Sequence, residues 1–260
     1  MYAVRQMLST TAIQDVSVTR RPENKLGDVT AAILAGGLGT RLRTVAMDRQ
    51  KVVAEVAGRP FLFFVLNQLN EAGLRKVVLC VGHLAGQVEA ELGRSFGSLR
   101  LRYSHETSPL GTGGALRHAL DLIESDHVLV LNGDSFCSVD LAAVYAKHLE
   151  RGADLTLVLT HVADTSRFGH VCLDAEDRVT AFREKHASGG PGWVNAGVYF
   201  MSRGMLEDIT PEASVSLERE VFPRWVNRTC FGYRSSGSFI DIGTPESYHE
   251  AQELLRVHPA

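Results

Sequence analysis

Three near-continuous apolar runs shape the first half of the chain. They are TAAILA at 30–35, KVVLCV at 76–81 and HVLVLN at 127–132. Apolar runs of this length are typical of parallel strands that are covered on both faces. Segments with helical periodicity separate or follow them, at 59–73, 84–93 and 112–124. Because strands and helices alternate, the sequence predicts a doubly wound α/β sheet with right-handed crossovers.

Proline, glycine and threonine mark the expected helix ends. Pro60 suits the first position of the helix at 59–73, and Gly73 suits its stop. A last helix is predicted after Thr244, which would be its N-cap, with Pro245 at the first helical position and Glu246 in the first turn.

The pattern changes after a helical segment at 140–152. Four strand-like runs follow in close succession: DLTLVLTHV, HVCLD, RVTAFREK and WVNAGVYFM. This spacing favours mixed or antiparallel pairing. We predict one α/β domain over residues 29–255, with a Rossmann-like mixed sheet shared by its halves 29–150 and 151–255, the latter forming a smaller lobe. Residues 1–28 have no apolar run typical of a signal peptide and are expected to be a weakly ordered extension.

Composition excludes several classes of partner. The net charge is −3, from 27 basic and 30 acidic residues, so nothing in the bulk charge favours nucleic acid or an anionic membrane. No run approaches the roughly 20 apolar residues of a membrane span. Four widely spaced cysteines indicate a reduced, cytoplasmic chain without disulfides or a zinc site: Cys80, Cys137, Cys172 and Cys230.

A glycine-rich, basic segment follows the first apolar run: LAGGLGTRLRTVAMDRQK at 34–51. Three glycines can turn successive N–H groups toward one anion: Gly36, Gly37 and Gly39. Three basic residues add positive charge: Arg41, Arg43 and Lys51. The spacing fits neither a Walker loop nor a dinucleotide fingerprint. Because the segment follows a buried strand, it is expected at the ligand-binding edge of the sheet, although a plain turn with solvated arginines would also explain it.

One acidic residue follows an apolar strand, and another lies inside one. Asp134 follows HVLVLN, and Asp241 lies between Ile240 and Ile242. A carboxylate inside an apolar strand is costly unless it is paired or binds a metal. Two converging carboxylates suit Mg²⁺, which completes its shell with water and phosphate oxygens. The alternatives are a helix N-cap for Asp134 and a salt bridge to an arginine for Asp241.

Taken in order, these motifs and three others resemble the sugar-1-phosphate nucleotidyltransferases over about residues 29–255. The matching strings are LAGGLGTRL with a later Lys51, ETSPLGTGGAL, LNGDS, FREK, NAGVYFM and FIDIGTPESY. Within that family they are most similar to the D-glycero-α-D-manno-heptose 1-phosphate guanylyltransferases. The resemblance implies a GT-A-like fold, a sugar nucleotide product for capsule, S-layer or lipopolysaccharide glycans, and a homodimer by family habit.

The resemblance also implies a role for each matching residue. The substrates would be a nucleoside triphosphate, with GTP favoured, and a sugar 1-phosphate. Asp134 and Asp241 would hold Mg²⁺, while Lys51 would neutralise charge at the α-phosphate. The β- and γ-phosphates would bind a group made of Gly37, Gly39, Thr40 and Arg41. Lys185 would bind the sugar phosphate, and Glu184 would accept hydrogen bonds from the sugar hydroxyls. The rest of the sugar-phosphate site would be formed by Gly133, Asn195 and Gly197. Without the resemblance, Glu184 and Lys185 would be a surface charge pair, and NAG a β-bulge.

For the nucleobase, the resemblance indicates a pocket at the same edge. The base would lie against the backbone of Ala35 and Gly36 and beneath PLGTGG, where Gly111 and Thr112 stand. Glu106 could accept hydrogen bonds from N1–H and the exocyclic amine of guanine. His83 follows a strand end and either faces the base or has a structural role.

One residue departs from the family pattern. The family usually has Pro before the catalytic lysine, whereas Gln50 precedes Lys51 here. Proline would stiffen the backbone at this point, so glutamine is expected to leave the approach to Lys51 more mobile.

Two other functions remain open from the sequence. One keeps the reaction and changes the substrates, to mannose 1-phosphate guanylylation or to uridylyl or thymidylyl transfer to a hexose phosphate. The other is a regulatory protein that binds a sugar nucleotide without catalysis. A regulatory protein is expected to have lost the metal carboxylates or the lysine, and Asp134, Asp241 and Lys51 are all present.

Overall fold

The computed structural model describes residues 25–37, 50–183, 189–226 and 228–256. Its strands are β1 Thr30–Leu34, β2 Glu55–Val56, β3 Arg59–Pro60, β4 Lys76–Val81, β5 Ser95–Phe96, β6 Leu99–His105, β7 His127–Asn132, β8 Ser135–Cys137, β9 Leu155–Val162, β10 His170–Leu173, β11 Val179–Arg183, β12 Gly192–Ser202, β13 Cys230–Ser235 and β14 Phe239–Asp241. Its α-helices are α1 Phe61–Glu71, α2 Ala85–Leu92, α3 Gly111–His118, α4 Leu141–Glu150, α5 Arg203–Glu207, α6 Phe222–Trp225 and α7 Pro245–Leu254.

The first half forms the predicted parallel sheet. β1 pairs in parallel with β4 and with β7, and β4 pairs in parallel with β6. Successive β1 residues face opposite sides: Ala31 and Ile33 pack into one hydrophobic cluster, and Ala32 packs into another. Both faces of the strand are therefore covered, which is why its sequence is apolar without alternation.

The second half joins the same sheet through β12. This long strand pairs antiparallel with β7, β9 and β10, while β13 pairs in parallel with β9. The described strands give the order β11-β10-β12-β7-β1-β4-β6-β5, and off this path β9 pairs with β12 and β13 pairs with β9. The predicted mixed pairing is confirmed, and one continuous sheet spans both halves. β8 and β14 form a separate two-stranded ladder.

Most expected helix ends are observed. Gly73 has φ +86° after α1, and Thr244 caps α7 by accepting a hydrogen bond from the Ser247 N–H. The position predicted for Pro60 is wrong: it is the N-cap of α1, because it already pairs with Glu55 in the small β2–β3 ladder. The helix predicted at 112–124 ends at His118 and continues as a 3-10 turn, Leu120–Leu122.

The last four residues of the predicted weakly ordered extension, 25–28, are part of the fold. Lys25–Asp28 forms a 3-10 helix, and the Leu26 side chain is buried in the core. Residues 1–24 lie outside the described part of the chain. All four cysteines are free. Of the helices that the structure describes, none has the length and apolar content needed to cross a bilayer.

A buried histidine lies at the end of the sheet opposite the expected site. His148 on α4 is fully buried, with Nδ1 2.9 Å from the Thr156 hydroxyl and Nε2 3.0 Å from Nδ1 of His127. Burial, and then the neighbouring His127, lower the pKa of His148 from 6.5 to about 4, against an opposing effect of Asp154. His148 is therefore neutral in the folded protein at neutral pH.

This histidine predicts acid sensitivity. Below a pH of about 6.5 the unfolded chain protonates His148 while the folded chain does not, so the unfolded state binds more protons. We expect the free energy of unfolding to fall by about 2 kcal/mol between about pH 7 and pH 5 from this group alone. Urea unfolding at several pH values measures the slope.

His148→Gln removes this titration, so its stability should depend less steeply on pH than that of the wild-type protein, whatever its absolute stability. The exposed His249 is the matched control, and His249→Gln should keep the wild-type slope. Equal slopes in all three proteins would contradict the assignment.

Candidate functional site

Two cavities lie at the carboxyl edge of the parallel strands and meet at Asn132, which lines both. The first has a volume of about 570 Å³, and its lining includes most of the residues predicted around a nucleotide: Gly36, Gly37, Lys51, His83, Glu106, Gly111, Thr112 and Asp134. The second has a volume of about 980 Å³ and includes Asn195 and Asp241. The sequence-predicted residues thus divide between two adjoining spaces.

The start of the glycine-rich segment forms one wall of the first cavity. Gly36 and Gly37 line it. Ala35 is buried, and both of its backbone polar groups already form hydrogen bonds. Its N–H donates to the Cys80 carbonyl at 2.9 Å, and its carbonyl accepts from the Gln50 side chain. Four other predicted residues of the segment fall at 38–49, outside the described residues: Gly39, Thr40, Arg41 and Arg43.

Glu106 lies across two glycines in the first cavity. A Cβ atom on Gly36 would be 2.3 Å from its Oε1, and a Cβ atom on Gly82 would be 2.7 Å from it. Glycine at both positions thus leaves space for the carboxylate. Its Oε2 accepts a hydrogen bond from the Leu110 N–H at 3.1 Å. Burial raises the pKa of Glu106, against opposing effects of Leu110 and His118.

The PLGTGG segment begins helix α3 and is bound to a later part of the chain. Gly111 has φ +69°, and a Cβ there would be 2.6 Å from the Val215 carbonyl. That carbonyl accepts the Gly113 N–H at 2.8 Å. The Thr112 hydroxyl donates to Glu218 at 3.0 Å and accepts the Leu217 N–H at 2.8 Å. Thr112 therefore connects the first cavity with the segment that lines the second.

A lysine–aspartate pair lies beside the meeting point of the cavities. The Lys51 ammonium is 2.7 Å from Oδ2 of Asp134. The lysine side chain is 10% exposed and the aspartate 39%, so the pair faces the first cavity from a mostly covered position. The alternative role of Asp134 as a helix N-cap is wrong, because Asp140 caps the next helix, α4.

Backbone pairing brings the second carboxylate to the same edge. Asp241 ends β14 opposite Ser135, and the Asp134 carbonyl accepts the Ile242 N–H at 2.9 Å. Oδ1 of Asp241 accepts the Gly243 N–H at 2.8 Å and lies 3.6 Å from Arg167. The predicted arginine partner thus exists.

Two carboxylates at adjoining strand ends have the donor chemistry that Mg²⁺ takes in proteins. Both are partly exposed, Asp134 by 39% and Asp241 by 27%. Within the described ranges, no larger group of three or more histidine, cysteine or acidic side chains is placed to hold a metal. A Mg²⁺ site here would therefore use these two carboxylates, and substrate oxygens would supply other ligands.

The second cavity contains charged residues that the sequence analysis missed. Three are arginines and two are further acids: Arg167, Arg183, Arg219, Glu218 and Glu246. Glu218 and Arg219 belong to SLEREVFP, part of which forms a π-helical turn, Leu217–Val221. Such turns occur often at functional sites. The sequence signal was an alternation of charges inside an apolar run, which also suits an ordinary amphipathic helix.

The NAG motif combines a bulge with one cavity-lining residue. The register of β12 against β9 shifts between Asn195 and Tyr199, as the bulge interpretation predicts. Asn195 lines the second cavity, where its Nδ2 donates to the Tyr199 hydroxyl at 2.7 Å. Gly197 has φ +75°, and a Cβ there would be 2.5 Å from Oγ of Ser135, so this glycine permits close packing.

Three other predicted sugar-site residues have different outcomes. Gly133 donates its N–H to the Leu34 carbonyl at 2.9 Å, and a Cβ there would be 2.7 Å from that oxygen, which indicates a packing role. Glu184 and Lys185 fall outside the described residues. Their assignment stays a prediction.

Asn132 was quoted within a motif but not identified as a site residue. It lines both cavities, and its buried Oδ1 has no hydrogen-bond partner among the described residues. Buried polar atoms in native proteins are nearly always paired, so this exception leaves a hydrogen-bond acceptor available at the wall of both cavities.

Gln50 is held differently from the sequence expectation. Its side chain is buried, with 3% of the residue exposed, and forms hydrogen bonds to three backbone groups. The backbone before Lys51 was expected to be mobile, but these hydrogen bonds hold it in place. A proline ring could not make them.

Comparisons with known proteins agree with this geometry. The family model described as Nucleotidyl transferase matches residues 30–257. A D-glycero-alpha-D-manno-heptose 1-phosphate guanylyltransferase of Aneurinibacillus thermoaerophilus is 34% identical over 87% of this chain and 98% of that protein. A mannose-1-phosphate guanylyltransferase of Mycobacterium tuberculosis is 38% identical over 85% of this chain but only 62% of that protein.

The structural comparison gives the same family. The crystal structure of HddC from Yersinia pseudotuberculosis, also solved in complex with GMP-PN, superposes with a TM-score of 0.78. It is 31% identical and covers 87% of this chain and 99% of that chain. The fold, the order of the motifs and these matches agree: the chain belongs to the nucleotidyl transferase family.

Proposed function

We propose that this nucleotidyltransferase joins GTP to D-glycero-α-D-manno-heptose 1-phosphate, giving GDP-heptose and pyrophosphate. The observation that carries the proposal is the meeting of two cavities at Asn132, with Lys51 and Asp134 paired beside it. Two substrates bound on either side would place their phosphates together. The heptose substrate is supported by the relative from A. thermoaerophilus, whose whole length this chain nearly covers.

In the proposed reaction the sugar 1-phosphate supplies the nucleophile. One of its phosphate oxygens attacks the α-phosphorus in line, the bond from the α-phosphorus to the bridging oxygen breaks, and pyrophosphate leaves. Positioning and charge neutralisation provide most of the catalysis in such transfers. Lys51 neutralises charge on the α-phosphate oxygens. By resemblance, Arg41 grips the β- and γ-phosphates and Lys185 holds the sugar phosphate.

Asp134 and Asp241 would hold Mg²⁺ between the two substrates. When bound, the ion neutralises charge on the α-phosphate and on the incoming phosphate oxygen. In the protein alone, Oδ2 of Asp134 pairs with Lys51, and Asp241 lies near Arg167. Each carboxylate therefore has a cationic neighbour in the protein alone. A homodimer and a cytoplasmic location stay predictions.

The first prediction from the proposed function concerns the reaction itself. We expect pyrophosphate release with Mg²⁺ when GTP and the heptose phosphate are supplied together, and little with ATP, UTP, dTTP or CTP. Asp134→Asn keeps the shape and removes the charge, so kcat should fall by about 100-fold or more. A coupled pyrophosphate assay over five nucleotides and three sugar phosphates, including mannose 1-phosphate and glucose 1-phosphate, measures this.

The matched control is Asp140→Asn, which changes an acid at the N-cap of α4, away from both cavities. Its kcat should stay within about twofold of wild type, and its stability should change little, because Asn caps a helix about as well as Asp does. Turnover with mannose 1-phosphate in place of the heptose phosphate would support the proposed reaction but contradict the proposed sugar substrate. That second candidate is favoured by the 38% identity to the mannose-1-phosphate enzyme. No turnover with any pair would overturn the reaction.

The second prediction concerns the base. Glu106 lies on Gly36 and Gly82 in the first cavity, where its carboxylate can accept from N1–H and the 2-amine of guanine. Wild-type kcat/KM should therefore be about tenfold higher for GTP than for ITP, which lacks the amine. Glu106→Gln places an amide donor there and should remove this preference. Glu89→Gln, at an exposed acid paired with His105, should retain it. An unchanged GTP/ITP ratio in Glu106→Gln would contradict the role.

The third prediction concerns the sugar phosphate. Arg219 lines the second cavity, where a guanidinium suits a phosphate. We expect Arg219→Met to raise the KM for the sugar phosphate about tenfold and to leave the KM for GTP unchanged. Arg224→Met, at an exposed arginine of the neighbouring helix, serves as control and should change neither. A rise confined to the KM for GTP would contradict this assignment, because it would mean that the second cavity binds GTP.

A further inference from the structure

Gln50 connects several separate parts of the first cavity. Its Nε2 donates to the carbonyls of Ala35 at 2.8 Å and Gly37 at 2.9 Å, and its Oε1 accepts the Val52 N–H at 3.0 Å. Its backbone N–H donates to the side-chain oxygen of Gln87 on α2, at 2.9 Å. The amide orientation is determined by this pattern, because its nitrogen faces two acceptors and its oxygen faces a donor.

These bonds bracket the basic segment at both ends. Gly37 precedes residues 38–49 and Gln50 follows them, so one buried amide joins the entry and exit of the segment. Lys51 comes next, and its ammonium lies on Asp134 at 2.7 Å. We propose that Gln50 is a positioning residue, which holds the backbone at Gly37 and on either side of Lys51 in place for the triphosphate. The proposal rests on the proposed function, in which Lys51 meets the α-phosphate.

The backbone of Gln50 distinguishes positioning from general stability. It has φ −63° and ψ 129°, which is the conformation that a proline ring fixes. Gln50→Pro would keep this path into Lys51 but lose the side-chain bonds and the bond from the backbone N–H. Gln50→Ala would lose the side-chain bonds, keep the N–H bond and release the backbone. If Gln50 only stabilised the fold, kcat of Gln50→Pro would be equal to or lower than that of Gln50→Ala. If Gln50 positions Lys51, kcat of Gln50→Pro should be the higher of the two.

The test compares Gln50→Ala, Gln50→Pro and the wild-type chain. Gln50→Ala should lower kcat by about tenfold or more, with less than about threefold change in the KM for the sugar phosphate. Gln50→Pro should retain a higher kcat than Gln50→Ala despite having fewer hydrogen bonds. The thermal midpoint and the Kd for GTP, from calorimetry, are measured on each protein.

Gln68→Ala is the matched control. The Gln68 amide also donates to two backbone carbonyls, of Cys137 at 2.9 Å and Val139 at 3.2 Å, but this residue lies on α1 and lines neither cavity. It should lose thermal stability and keep kcat within about twofold of wild type.

Two results would overturn the proposal. One is a kcat for Gln50→Ala within about twofold of wild type, and the other is a set of kcat values that follows the thermal midpoints. If the wild-type chain turns over no substrate pair, the proposed function fails separately, and the Kd for GTP decides the role of Gln50. Tighter binding by wild type and Gln50→Pro than by Gln50→Ala supports positioning, while equal values overturn it.

Discussion

The placement of β7 between β1 and β12 is the constraint on which the site depends. Leu34 on β1 pairs in parallel with Asn132, and Val198 on β12 pairs antiparallel with Leu131. β7 therefore belongs to both halves of the sheet, and its carboxyl end opens into both cavities. Ligands of open α/β sheets bind at such carboxyl ends. Asp134 stands two residues farther on, so strand pairing alone brings an acid to the boundary between two spaces.

The two cavities differ in charge and are physically connected. The first is lined by two carboxylates, Glu106 and Asp134, and by Lys51, whereas the second is lined by three arginines and three acids. Thr112 bonds to Glu218 across the boundary. If a ligand moved either side chain, the other side chain would lose its hydrogen-bond partner. The ladder of β8 and β14 adds a second connection, through the Asp134 carbonyl and the Ile242 N–H.

Features that depend on neighbours in sequence could be predicted. Apolar runs predicted the parallel strands, and Thr244 predicted the start of α7, because burial on both faces and N-capping are local requirements. Glu218 and Arg219 could not be identified in this way. Their charge pattern is that of an ordinary surface helix, and only the packing of Val215 against the start of α3 brings them to a cavity.

By itself, the sequence determined the α/β class, the family and the set of chemical groups: a glycine-rich basic segment, two acids and a lysine. The tertiary structure alone decided how those groups are held. Gln50 shows the difference, since its partners include Ala35, fifteen residues away, and Gln87, thirty-seven residues away. Local propensity carries no information about such bonds. They form only once the strand, the helix and the loop have packed together, because a buried amide must find its partners wherever the fold has placed them.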